Sequence, residues 1–129
     1  MAPDAWLVAI ATGLTLVTPA MAASPVPAAA KAVIQQVHAA AARKDLAALE
    51  ALMISEFTWS FGGDASAKQA LAEWGSKPRY LDALSRVTGL ACTYEDRIVE
   101  CPAKARTGFR AGFKQTSSGW RMIYFVEGD

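Results

Sequence analysis

Residues 106–129 read RTGFRAGFKQTSSGWRMIYFVEGD. Two runs of alternating character, Arg106–Lys114 and Trp120–Glu127, flank Thr116-Ser117-Ser118-Gly119, which is the signature of a β-hairpin. Closing it on that loop sets Phe113 opposite Met122, Ala111 opposite Tyr124 and Phe109 opposite Val126. Phe109, Ala111, Phe113, Trp120, Met122 and Tyr124 then share one face, which we expect to lie under the helices. Burying one large side chain is worth about 1.5–3 kcal/mol, so this face outweighs strand propensity in setting the register. The opposite face collects Arg106, Arg110 and Lys114, with Ile123 and Phe125 emerging among them. Lys114 faces Arg121, a like-charge pair that costs a little stability.

Upstream of the hairpin the period changes. Ala30, Val33, Ile34, Val37 and Ala41 fall on one face of a helix. Asp45 can cap a short second helix whose Leu46, Leu49 and Met53 turn inward. Phe57, Trp59 and Phe61 then alternate with Thr58 and Ser60 as a strand, ended by Gly62-Gly63-Asp64. Ser66 with Gln69 has capping-box spacing and opens a third helix through Ala67, Ala70, Leu71 and Trp74. Pro78 opens a fourth, with Tyr80, Leu84 and Val87 on one side and Gly89 at its end. Strands are expected at about Leu90–Tyr94 and Ile98–Pro102. Segregated helices followed by an antiparallel meander give the α+β class, with helices packed on a curved, mainly antiparallel sheet.

The chain has 129 residues, which fits one domain at 28–129. Before it, Trp6–Val17 is an apolar run too short to span a bilayer, followed by Ala20-Met21-Ala22, an A-x-A cleavage pattern. Residues 1–22 therefore read as a signal peptide and 23–27 as a short leader, which places the protein in the periplasm or outside the cell. The run is preceded by Asp4 and by no Lys or Arg, and a buried N-terminal helix is the alternative. No later apolar run could cross a membrane. The 13 basic and 12 acidic residues nearly cancel, against a nucleic-acid partner.

Cys92 and Cys101 flank the turn candidate Glu95-Asp96-Arg97-Ile98. A two-residue loop at Asp96-Arg97 makes 95:98 the closing hydrogen-bonded pair, and alternation makes 92:101 a non-hydrogen-bonded pair. Cα atoms in such a pair are about 4.5 Å apart, within disulfide range. An exported protein meets an oxidising compartment, so a structural disulfide is expected.

Element order together with Gly119-Trp120-Arg121-Met122-Ile123-Tyr124-Phe125-Val126-Glu127-Gly128-Asp129 and Lys44-Asp45-Leu46-Ala47-Ala48-Leu49 resembles the nuclear transport factor 2-like superfamily, with its SnoaL-like and ketosteroid isomerase-like members. The resemblance implies a curved sheet wrapped by helices into a cone with an apolar pocket, and pairing of two copies through their sheets. The fourth helical segment departs from the many members that have a strand there. For the C-terminal part alone, an SH3-like barrel competes.

Catalytic chemistry finds little support. His38 is the sole histidine and flanks the stripe of the first helix, with no nucleophile aimed at it. One His and a C-x8-C pair do not make a zinc site, and no cofactor or metal is expected. Asp64 stands at a strand end but serves equally as a helix-start acid. Trp59, Phe61, Trp74, Tyr80, Phe109, Phe113, Trp120 and Tyr124 are the candidate lining of a pocket, with a filled core as the other reading. Arg106, Arg110, Lys114 and Arg121 lie in a stretch without Asp or Glu and form a basic patch able to meet an anionic partner. The sequence thus points to an exported binding or interaction domain for a small apolar ligand or a protein. The alternative is an isomerase-like or cyclase-like enzyme working inside the cone.

Overall fold

The structure, a computed structural model of the chain, describes residues 24–60, 63, 65–104 and 108–128. The signal-peptide segment, Phe61, Asp64 and Arg106 lie outside the described residues. Helix α1 runs over Ala28–Arg43 and buries Ala30, Val33, Ile34, Val37, Ala40 and Ala41 along one stripe. Lys44 stops it in the left-handed conformation, with φ 59°. The Lys44 and Asp45 amides donate to the carbonyls of Ala41 and Ala40, closing a Schellman turn. Asp45 then caps α2 (Leu46–Ala51) by accepting from the Ala48 amide at 3.1 Å. Two adjacent residues thus end one helix and start the next.

Strand β1 spans Met53–Thr58 and starts earlier than the aromatic alternation suggests. Met53, expected as the last inward residue of α2, opens the strand instead, because the Leu52 carbonyl accepts the Met122 amide at 2.8 Å. Helix α3 (Ala67–Ser76) is capped by Ser66, whose hydroxyl accepts from the Gln69 amide. Helix α4 (Pro78–Thr88) has proline in its first turn and buries Leu81, Ala83, Leu84 and Val87. His38 ties α1 to α4: its Nδ1–H donates to the Ser85 carbonyl at 2.7 Å. The Thr88 hydroxyl shares that acceptor at 3.3 Å, so the imidazole serves as a tie near the C-terminal end of α4.

Strands β2 (Thr93–Glu95), β3 (Ile98–Cys101), β4 (Gly108–Thr116) and β5 (Gly119–Gly128) complete a five-stranded sheet in the order β1-β5-β4-β3-β2. The β1–β5 pairing is parallel and the others antiparallel, so the sheet is mixed and open. Helices cover one face, in the α+β arrangement. The β2–β3 register is Glu95↔Ile98, Tyr94↔Val99 and Thr93↔Glu100. The Cys92–Cys101 disulfide follows, with Cα atoms 4.4 Å apart. Asp96 and Arg97 both have positive φ, 54° and 68°, as a two-residue hairpin turn of the primed type requires.

The β4–β5 hairpin departs from the expected register at one point. Phe113 pairs with Met122 and Lys114 with Arg121, but Gly112 pairs with Tyr124 and Ala111 with Phe125. Ile123 is the extra residue of a β-bulge. Beyond it every β5 side chain changes face relative to simple alternation. Tyr124, expected under the helices, lies on the outer face. Phe125, expected among the cations, is buried at 2% exposure. Phe109 pairs with Glu127 rather than Val126.

Candidate binding site on the outer face of the sheet

The helix side of the sheet is filled by a chain of rings. Phe57 meets Trp74 edge-on at 5.6 Å, and Trp74 meets Phe125 in the same way at 5.5 Å. Phe125 stacks on Phe109 at 5.0 Å, and Phe109 meets Tyr80 edge-on at 5.8 Å. The series ends under the Arg79 guanidinium, which sits 4.6 Å from the Tyr80 ring centre and pairs with Glu127 at 2.9 Å. Phe113 is fully buried, and Trp120 is buried against Tyr94. Trp59 packs partly buried against this core, and its indole N–H is the one buried side-chain polar atom without a partner among the described residues. Of the candidate pocket residues, then, Trp74, Phe109, Phe113 and Trp120 occupy the interior, Tyr80 closes its end, and Tyr124 is elsewhere.

Tyr124 lies flat across β4. Its ring occupies the space above Gly112, where any Cβ would overlap it, and its phenol donates a short hydrogen bond to Glu100 on β3. Burial, then the Glu100 hydrogen bond and charge, push the Tyr124 phenol well above its usual range, while Arg110 opposes the shift. The phenol therefore stays protonated. Arg110 lies over the second glycine of this face: a Cβ on Gly128 would stand 2.6 Å from an Arg110 guanidinium nitrogen. Two glycines thus let an aromatic ring and a guanidinium lie down on the sheet rather than stand up from it.

The two side chains frame a hollow of about 280 Å³ lined by Thr58, Glu100, Arg110, Tyr124 and Val126. Val126, buried at 5% exposure, is its apolar floor. Arg110 is half-buried and has no carboxylate within ion-pair distance among the described residues. A second hollow, about 510 Å³, continues along the same face past Ile54, Glu56, Lys114 and Ile123. A third, about 410 Å³, lies away from the sheet between α1, α4 and Leu90–Cys92.

The basic patch is more mixed than its sequence suggests. Lys114 is exposed opposite Arg121, whose guanidinium donates to the Trp120 carbonyl at 2.7 Å. Glu100 and Glu56 share the face and supply acids from β3 and β1. Sequence reasoning set Gly112 beside Arg110, expected Tyr124 on the other face, and did not name Glu100 as a companion. The signal was present in the even parity of Gly108, Arg110 and Gly112, which leaves bare backbone beside a cation. Among the described residues no group of three or more His, Cys, Asp or Glu could hold a metal ion.

No protein-family model and no curated protein matches the chain. Two solved structures are similar to it. A protein assigned as a ketosteroid isomerase from Shewanella frigidimarina NCIMB 400 is 16% identical, with a TM-score of 0.46, over 77% of this chain and 94% of its own. An NTF2-like protein with a cystatin-like fold from Novosphingobium aromaticivorans is 15% identical, with a TM-score of 0.43, over 74% of this chain and 76% of its own. The chain is an α+β protein whose helices pack on one mixed, open five-stranded sheet.

Proposed function

We propose that the chain is an exported, non-catalytic binding domain that presents its ligand surface on the outer face of the sheet. The observation that carries this reading is the ring chain Phe57–Trp74–Phe125–Phe109–Tyr80, which fills the side where a cone-shaped relative would hold a substrate. The polar and charged groups that could recognise a ligand, Arg110, Tyr124 and Glu100, stand on the other side. The disulfide supports an oxidising compartment. Among the described residues no helix is long and apolar enough to cross a membrane.

The enzyme alternative draws on one feature, the raised ionisation of Tyr124. A perturbed group inside an apolar pocket would favour isomerase-like chemistry. This phenol lies on the outer face and is held protonated, which suits a hydrogen-bond donor and not a base. A second copy of the chain is the protein partner we propose for the neighbouring part of the face, around Ile123 and Lys114, in keeping with the pairing that the resemblance implies.

Titration of a 3-oxosteroid into wild type, and of benzene into wild type and Trp74→Ala, tests the central reading. Wild type is expected to show no saturable binding of either and no turnover, and Trp74→Ala to gain benzene, the size of molecule that a void left by an indole admits. Saturable binding or isomerisation by wild type would return the site to the interior. Intact mass of the secreted protein tests export, with Ala23 as the expected first residue.

A further inference from the structure

We infer that the hollow between Tyr124 and Arg110 is a site for a small zwitterionic amino acid. The inference rests on the outer-face reading and gives it a ligand class. Glu100 sits opposite Gly112, so Arg110 occupies the diagonal position on β4, about 7–8 Å away at the backbone. The two opposite charges line one hollow and do not form an ion pair. Arg110 reaches toward Gly128, and Glu100 is drawn the other way by the Tyr124 phenol. The gap between them separates a cation from an anion, and a ligand carrying both charges on neighbouring atoms closes it.

The donors and acceptors fit each end. A guanidinium presents planar N–H pairs that match a carboxylate bidentately. At the other end stand acceptors for an ammonium: the remaining Glu100 carboxylate oxygen, the lone pairs of the Tyr124 phenol, whose proton is already committed to Glu100, and the Thr58 hydroxyl. The Val126 floor and the Tyr124 ring offer apolar surface to a short side chain. A volume of about 280 Å³ lies just below the roughly 300–1,000 Å³ of drug-sized pockets, so a small amino acid fits and a long peptide does not. A simple anion is disfavoured by Glu100, and a simple amine by Arg110.

L-Valine, isovalerate and isobutylamine are titrated into uniformly ¹⁵N-labelled protein, at a concentration where sedimentation shows a single species. The site predicts saturable shifts at the Gly112 and Gly128 amides with valine. Isovalerate and isobutylamine, each lacking one charge, bind about tenfold or more weakly, the size expected for a hydrogen bond to a charged group. Arg110→Gln and Glu100→Gln, each checked for an unchanged unfolding midpoint, weaken valine by a similar factor. Failure of valine to saturate, or equal binding by either variant, would overturn the inference. The outer-face reading fails separately, when the steroid occupies the wild-type interior.

Discussion

On the helix side of β4 and β5 stand Phe109, Ala111, Phe113, Met122 and Phe125; on the outer side stand Arg110, Gly112, Lys114, Tyr124 and Val126. The inner side is built from large rings meeting edge to face, and it leaves little to recognise a polar molecule. The outer side removes Cβ atoms at Gly112 and Gly128, and so gains room for two polar side chains to lie along the backbone. A single bulge residue, Ile123, divides the β5 side chains between the two. Close packing of rings stabilises one side, and the other keeps an open face where Arg110 holds no ion pair among the described residues.

Removing the centre of the inner side has the largest expected effect. Trp74→Ala should lower the unfolding free energy by about 3–5 kcal/mol, read from chemical denaturation, because Trp74 is 1% exposed and touches both Phe57 and Phe125. A loss no larger than that of a surface substitution would mean the ring chain is not the core. Gly112→Ala comes next. The new methyl collides with the Tyr124 ring and forces it off the sheet, at a cost of about 1–3 kcal/mol. The same change in a Tyr124→Ala background should cost far less, and additivity of the two would break the link between them.

Tyr124→Phe should cost about 1 kcal/mol near neutral pH by removing the donor to Glu100. Its pH dependence has a definite sign. The folded-state ionisation is raised above the ordinary phenol value of about 10, so the stability that the hydroxyl lends is complete below that pH and is lost as pH rises through the raised value. The difference between wild type and Tyr124→Phe should therefore shrink in alkaline solution. A difference that grows would reverse the assignment. Arg110→Gln should have the smallest effect on folding, under about 0.5 kcal/mol, because the guanidinium holds no ion pair among the described residues and the amide adds no like charge beside Glu100. Its expected effect is on binding at the outer face.

Much of the fold was legible because its signals are local. Asp45 and Ser66 cap helices by short-range bonds to Ala48 and Gln69. The Asp96-Arg97 turn fixes the β2–β3 register, and with it the disulfide. The bulge was not legible. Strict alternation gives the wrong faces for Tyr124 and Phe125, and both residues are large enough to be core on hydrophobicity alone. Their faces are settled by tertiary packing: Phe125 fits between Trp74 and Phe109, while Tyr124 has a hydroxyl that finds Glu100. The outer site was half legible. Arg110 and Tyr124 stood out by type, but their meeting depends on Glu100 from β3, which no spacing in the β4–β5 hairpin reveals.

The most direct test is a set of proton–proton contacts measured by NMR on the folded domain. The bulge at Ile123 predicts contacts from the Tyr124 ring to the Gly112 Hα atoms, with those atoms shifted by the ring current, and from the Phe125 ring to the Trp74 indole and Phe109. Contacts from Tyr124 to Trp74, together with Phe125 beside Arg110, would show unbroken alternation and contradict the division of the two faces.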